Sequence, residues 1–382
     1  MSCCVITVAD TVLGYGSSQI LGITKGIAEW VGGDHLIFQP FVPHRKLVDL
    51  SAQGYRLETV HTVEHPWSWI GRMQYLRICA AAINKRQPDI LLLPNYNMLP
   101  LLELLNYSPR CIVHFALEDL EQFGDSFVGR QIVRKIKRLS ARIDVWVFPE
   151  SNRAINDCRI LEIPYDRVCI FYNVTPVDEF TLPTAYTHTG RVIYAGSVDF
   201  NRTVAQYFAS PEVITMPIDV FGGLAGDPGQ ITAFQTAVQS QGVAIRYKGE
   251  VPARILQELL PTYAYSIVHW LPINSALLNA APNKLFQAIA AGVPVITAPH
   301  PQCKMLVERY GCGIVLKDWT FNTFADGMRR ALKKIGSPNF NAMVDGCKRA
   351  QQMELNWETQ FCKLTSLLNV KLHARYIGNS SA

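Results

Sequence analysis

Lys284 lies in a stretch whose residue types suit an anionic ligand: NSALLNAAPNKLFQAIAAGVPVITAP, from Asn274 to Pro299. Pro282 suits the first turn of a helix, where a missing N–H costs nothing. Leu285, Phe286 and Ile289 then give that helix an apolar face, Gly292 ends it, and Val293–Thr297 reads as a strand. A cation near the positive end of a helix is unfavourable by about 0.3–1 kcal/mol. An anion bound there reverses the sign, because free N–H groups favour phosphate and Lys284 adds a charge-assisted contact. Asn283 and Gln287, four apart, share a face and can bond a polar ligand. The same pattern also fits a plain helix–strand unit of any α/β protein.

A second group of candidates is acidic. Glu118, Asp119 and Glu121 follow an apolar run, Ile112–Phe115, and so fall at the carboxyl end of a strand, where ligands sit in open α/β sheets. A partly desolvated carboxylate there can take the proton of an attacking hydroxyl. A solvated acidic loop or a helix-capping cluster accounts for the same residues. His114 reads as a strand side chain packed in the sheet.

The segment P-N-K-L-F-x-x-x-A-A-G-x-P-V-I resembles the nucleotide-sugar segment of GT-B glycosyltransferases, chiefly those of the family 4 type. In that family a glutamate in this helix usually bonds the ribose, and a second precedes it by eight positions in an E-x7-E motif. Gln287 and Asn279 stand there instead, and an amide oxygen can still accept from a hydroxyl. The resemblance implies a glycine-containing loop near the donor phosphates, matched by Gly14 and Gly16, and a basic residue beside the diphosphate, matched by Arg202. Lys248-Gly249-Glu250 together with Lys284-Leu285-Phe286-Gln287 is similar to the inverting glucuronosyltransferase of xanthan assembly. That likeness implies that Glu250, Lys284 and Gln287 bind the donor diphosphate nucleotide, with Lys248 beside them. It also implies that an acid after the fifth strand, Glu118 or else Asp119, is the base.

The elements that must position these residues follow from an alternation of strands and helices, which argues for parallel sheets wrapped by helices. Cys3–Ala9 is the first strand, followed by a helix through Ile20, Ile23, Ile27 and Trp30. Gln19 replaces the third glycine of a G-x-G-x-x-G loop, which disfavours a Rossmann dehydrogenase. Further strands are expected at Leu36–Gln39, Leu57–Val63, Ile90–Pro94, Ile112–Phe115 and Val145–Phe148. After the linker-like Leu182–Thr189, strands are expected at Arg191–Ala195, Ile218–Phe221, Val243–Tyr247 and Ser266–Leu271. A helix through Phe361, Leu364 and Leu368 follows Leu355-Asn356-Trp357-Glu358.

At 382 residues the chain suits two α/β domains, and 49% apolar residues argue against disorder. No apolar run approaches the roughly 20 residues that span a bilayer. The N-terminus has no basic region ahead of its strand, so a secretory signal is not expected. The ten cysteines lack a C-x-x-C pair and read as reduced thiols of a cytosolic protein. A net charge of +5 does not by itself imply nucleic acid. Val128–Arg142 carries Arg130, Arg134, Lys135, Lys137, Arg138 and Arg142 with no acid, and Ile132, Val133, Ile136 and Leu139 on one side. Such a helix can lie on an anionic membrane, or it is an ordinary packed helix with a basic outer face. Trp67 and Trp69 with Arg72, Met73 and Arg77 form a second candidate for a membrane or acceptor surface.

The expected fold is α/β of the GT-B kind, two Rossmann-like domains with parallel sheets facing across a cleft. Residues 1–181 form the acceptor domain, 190–354 the nucleotide-sugar domain, and 355–382 a terminal helix crossing back to the first. The expected reaction moves a sugar from a UDP- or GDP-sugar to a glycan or lipid-linked acceptor, in surface polysaccharide or glycoconjugate assembly. No metal or other cofactor is expected; the expected place is the cytoplasm, at the inner face of the membrane. Two alternatives stand beside this reading: a catalytically reduced GT-B protein that binds a partner, suggested by Asn279 and Gln287, and a sugar-nucleotide epimerase of GT-B fold.

Overall fold

The structure is a computed structural model describing residues 3–14, 18–43, 45–174, 188–201, 205–240 and 242–379. Two compact units result: Met1–Tyr172 with Gln360–Ala382, and Asn173–Thr359.

In the first unit β1 (Cys4–Val8), β2 (Asp34–Pro40), β3 (Leu57–Val60), β4 (Ile90–Pro94), β5 (Cys111–Phe115), β6 (Val145–Phe148) and β7 (Val168–Ile170) form one parallel sheet. Its order is β3-β2-β1-β4-β5-β6-β7. β4 reads ILLLP and β6 reads VWVF, and every one of these residues is buried. Such unbroken apolar runs belong to strands covered on both faces. The covering helices include Ser18–Trp30, Trp69–Arg86, Phe127–Ser140 and Ser151–Leu161. The expected strand Leu57–Val63 stops at Val60, the last residue paired with β2, and Val63 is exposed. Trp30, read as part of an apolar face, is also exposed.

The terminal helix Trp357–Asn379 enters this unit from Gln360 onward. Its Phe361 ring fills the space beside Gly26, where a Cβ would lie 2.8 Å from the ring. Gln360 Oε1 accepts from Tyr172 N–H at 3.2 Å, and Lys371 Nζ pairs with Asp166 Oδ2 at 2.7 Å.

The second unit holds β8 (Val192–Ala195), β9 (Val198–Asp199), β10 (Ile218–Phe221), β11 (Leu224–Ala225), β12 (Arg246–Gly249), β13 (Tyr265–Val268), β14 (Val295–Thr297) and β15 (Gly313–Val315). Six of them form a parallel sheet in the order β12-β10-β8-β13-β14-β15, and β9 pairs with β11 separately. Tyr194, Tyr265, Phe208, Phe234 and Phe286 are among its largest fully buried side chains. β12 corrects the expected strand Val243–Tyr247. Val243–Ile245 only leads in, with Ala244 N–H bonded to Ile214 O at 2.7 Å, and pairing with β10 begins at Arg246 opposite Asp219.

All ten cysteines are free thiols. No described helix is long and apolar enough to cross a membrane.

Candidate functional site

The strand order of the second sheet reverses between β8 and β13, a switch point that opens a crevice at the carboxyl ends. Lys284 reaches this place. It is the second residue of the helix Asn283–Ala290, whose N-cap is Pro282, so the helix starts one residue later than a first turn that includes Pro282. Its ammonium lies 4.2 Å from the Tyr194 ring centroid and 3.1 Å from where a Cβ would stand at Gly196. Tyr194 belongs to β8 and Gly196 follows it. Lys284 has no ion-pair partner among the described residues. The cation therefore stands at a helix start, with only an aromatic face to offset it.

Glycines make room around it. Gly196 and Gly222 both have positive φ, 139° and 135°, and a Cβ at Gly222 would lie 1.9 Å from Gly196 O. These two loops can approach so closely only without side chains. Glu250 comes to the same edge, since a Cβ at Gly223 would meet its Oε1 at 2.3 Å. Tyr247 fixes the arrangement from β12 by donating its hydroxyl to Gly222 O at 2.9 Å. Lys248 is placed differently from the expectation. It belongs to the strand itself, as the extra residue of a bulge where Tyr247 and Gly249 face consecutive residues of β10. It is exposed.

The segment before Lys284 is itself held in a defined conformation. Ser275–Asn279 is a short helix capped by the Asn274 side chain, which accepts from Leu277 N–H at 2.8 Å. Trp270 donates its indole N–H to Leu277 O at 2.6 Å, and His300 stacks on the Trp270 ring at 3.8 Å while meeting Leu278 O. Burial pushes His300 down to about 4, so a neutral ring holds this segment at ordinary pH. Asn279 ends the short helix, and Asn279, Asn283 and Gln287 are all half-buried. His269, just past β13, is fully buried, and neither of its ring nitrogens has a hydrogen-bond partner among the described residues. Burial, with the charges of His300 and Lys284, drops it to about 3. Sequence reading passed over His269, His300 and Tyr194. Their only signal is their position at strand ends.

In the first unit the acids separate by role. Glu118 is exposed, and its backbone N–H donates to Asn95 Oδ1 at 3.1 Å. Asp119 is buried, 3% exposed, and its Oδ1 accepts from Glu121 N–H at 3.0 Å as the N-cap of the turn Leu120–Phe123. Of the two, only Glu118 is open to an incoming hydroxyl. His114 is buried, its Nδ1 is 2.7 Å from Leu93 O, and burial lowers it to about 3. It is a packed strand residue, as read. Gly14 has φ 96°, and a Cβ there would lie 2.9 Å from Val48, so the turn and its packing already demand glycine. Gly16 and Arg202 lie outside the described residues.

The basic helix Phe127–Ser140 turns its apolar side inward, burying Ile136 and Leu139. It cannot lay that side on a membrane. Lys135 and Lys137 are held by Glu103 and Glu162, each at 2.6 Å. Arg134 and Arg138 remain on the outer face, exposed and without an ion-pair partner among the described residues. Phe127 and Val128 extend from its first turn, 68% and 65% exposed. Beside it a cavity of about 590 Å³ is lined by Leu120, Glu121, Arg130, Val133, Arg134 and Ile160 among others. Trp69 is 79% exposed, whereas Trp67 is tied down by its indole N–H, which donates to Asp10 O at 3.1 Å. Among the described residues no group of three or more His, Cys, Asp or Glu could hold a metal ion.

Two parallel-sheet α/β units of this construction, joined in one chain with the last helix returning to the first, have the GT-B fold. Among solved structures the chain is similar to a sucrose-phosphate synthase from Thermosynechococcus elongatus, at TM-score 0.73 and 13% identity over 97% of this chain and 100% of that one. WaaG, a glycosyltransferase involved in lipopolysaccharide biosynthesis, gives TM-score 0.69 and 14% identity over 95% and 98%. Anabaena HepE in complex with UDP-glucose gives TM-score 0.67 and 12% identity over 96% and 98%. At such identities the likeness establishes the fold. No protein-family model matches the sequence, and no curated protein does.

Proposed function

We propose that the protein is a glycosyltransferase that moves a sugar from a UDP- or GDP-sugar to a glycan or lipid-linked acceptor. The observation that carries this reading is Lys284: a cation without a counter-ion among the described residues, at a helix start, over Tyr194 and against Gly196 at the switch point. A donor diphosphate supplies the missing negative charge. Glycosyltransferase neighbours, one of them holding UDP-glucose, support the same choice.

In this mechanism Glu118 takes the proton of the acceptor hydroxyl as that oxygen forms its bond to the anomeric carbon. The bond to the diphosphate breaks on the opposite side, and the electron pair leaves on the diphosphate. Lys284 and the helix amides stabilise that charge, together with Arg202. One displacement inverts the anomeric centre, as in the xanthan-type enzyme that the Lys248–Glu250 and Lys284–Gln287 segments resemble. Gln287 and Asn283 bond the nucleotide through their amides, and no metal or other cofactor takes part. The cavity lined by Glu121, Asp125, Arg130 and Arg134 suits an acceptor with apolar and polar parts. Exposed Phe127, Val128 and Trp69 with Arg134 and Arg138 suit peripheral attachment to the cytoplasmic membrane during glycoconjugate assembly.

The test is a panel of UDP- and GDP-sugars, scored for nucleotide release and glycosylated product, with the product's anomeric configuration read by NMR. Turnover of one donor with inversion supports the proposal. A protein that binds no nucleotide sugar sinks it, and tight nucleotide binding without turnover favours the binding protein suggested by Asn279 and Gln287.

A further inference from the structure

Asn95 closes β4 with φ 65° and ψ 146°. That conformation is strained for any residue with a Cβ, and it persists only where the surroundings over-determine it. The surroundings here are two hydrogen bonds of its side chain. Nδ2 donates to Asp10 Oδ2 at 2.8 Å, and Oδ1 accepts from Glu118 N–H at 3.1 Å. The amide has only one workable orientation, because a backbone N–H can only donate and Nδ2 cannot accept. Asn95 N–H also bonds Phe115 O at 2.9 Å, which staples the end of β4 to the end of β5.

The location adds to the geometry. Asp10 follows β1 and Asn95 follows β4, and the strand order of the first sheet reverses between these two strands. This is the crevice where open parallel sheets bind their ligands. Asp10 is itself fixed at its backbone, with its carbonyl bonded by Trp67 and the preceding carbonyl, Ala9 O, bonded by the Tyr75 hydroxyl at 2.6 Å. Asp10 Oδ1 is buried and has no hydrogen-bond partner among the described residues.

We infer that Asp10 and Asn95 are a positioning pair, a carboxyl and an amide that together lock the Glu118 loop in place at the switch point. The catalytic consequence rests on the glycosyl-transfer reading; the clamp itself does not. Asp10 aims the amide, the amide holds the Glu118 backbone, and the exposed Glu118 carboxylate is left with fewer arrangements to search. Among the described residues the charged groups acting on Asp10 are Glu118 and Arg72. Burial pushes its carboxyl up, against the Asn95 bond, and the Glu118 charge adds to the rise while Arg72 opposes it.

Asn95→Gly separates positioning from folding. Glycine adopts this backbone without strain, which offsets the lost bond to Asp10, so the melting temperature should stay within a few degrees of wild type while the amide is lost. The expected result is turnover of the best donor in the panel lowered about tenfold or more, with UDP affinity unchanged. Hydrogen exchange at the Glu118 amide should quicken about tenfold or more, since its acceptor is gone. Asp10→Asn keeps an acceptor for the Asn95 amide, so exchange at the Glu118 amide and turnover should stay close to wild type, whereas Asp10→Ala removes that acceptor and should quicken the exchange and lower turnover; identical behaviour of Asp10→Ala and wild type overturns the pairing. Wild-type turnover and wild-type exchange in Asn95→Gly overturn the inference. If the wild-type protein turns over no nucleotide sugar, the glycosyl-transfer reading fails, and the exchange rates alone decide whether the clamp exists.

Discussion

Replacing Lys284 by Met removes the ammonium while keeping a side chain of similar length over Tyr194. In the folded protein the loss is small. A half-exposed cation 4.2 Å from a ring centroid contributes about 0.5–1 kcal/mol, and the apolar contact of the Met stem returns part of it. The unfavourable placement of a cation at a helix start is also relieved, by about 0.3–1 kcal/mol. These terms nearly cancel, so the melting temperature should stay within a few degrees of wild type. Donor binding behaves differently. A charge-assisted contact to phosphate contributes about 1.5–3 kcal/mol, which corresponds to a loss of about 10- to 150-fold in affinity for UDP. Calorimetric titration of wild type and Lys284→Met with UDP, at low and high salt, measures this. The wild-type affinity should fall with salt more steeply than the variant's. Equal UDP affinities in the two proteins would refute the placement of the diphosphate at Lys284.

Glu118→Gln keeps size and hydrogen bonding but cannot take a proton, so turnover should fall about 10²–10⁴-fold with donor affinity unchanged; full activity would exclude it as base. Asp119→Ala should instead lower stability by about 1 kcal/mol, through the lost cap of Leu120–Phe123, and wild-type stability would contradict that role. Arg134→Gln with Arg138→Gln should weaken sedimentation with anionic vesicles more than Lys135→Gln with Lys137→Gln, because the lysines are already paired; identical effects would exclude a specific role for the arginines. Burial pushes Asp157 up to about 7, even though it accepts from Tyr96 at 2.5 Å, and Asp119 adds to the rise. The native state then holds a proton that the unfolded chain releases near pH 4, so the stabilisation is full below about pH 4 and lost as pH rises through about 7. The melting temperature should drop between about pH 5 and about pH 8 by more in wild type than in Asp157→Asn, and equal drops would refute the assignment.

The strands were legible wherever both faces are covered. ILLLP and VWVF need no context, because every position is apolar and the runs are too short for helices. Where one strand face is open the pattern blurs. Arg246–Gly249 alternates exposed with half-buried residues and carries a bulge, so the more apolar Val243–Ile245 drew the boundary three residues early. Lys284 was legible because a cation at a helix start conflicts with a local rule, and local conflict is visible in sequence. Asp10 and Asn95 conflict with nothing in sequence. Their significance is a contact across 85 positions, created by the order in which β1 and β4 pair. Asn95 also gives no warning of its backbone, since asparagine is common in turns of every kind. The inward apolar side of the Phe127–Ser140 helix was visible as periodicity, but whether a protein core or a lipid covers such a side is a tertiary fact.

The terminal helix imposes an order on the birth of the molecule. A ribosome makes β1 to β7 first, and the second unit next, before Gln360 exists to accept from Tyr172 N–H, 188 positions behind it. Until then Gly26 faces solvent in place of Phe361, and the strip of the first unit that the helix later covers stays open. The second unit is one continuous segment, so it can collapse on its own while the first waits. Once collapsed, it shortens the loop that the last helix must close, and closure entropy falls with it. The first unit to be synthesised is therefore the last to be completed.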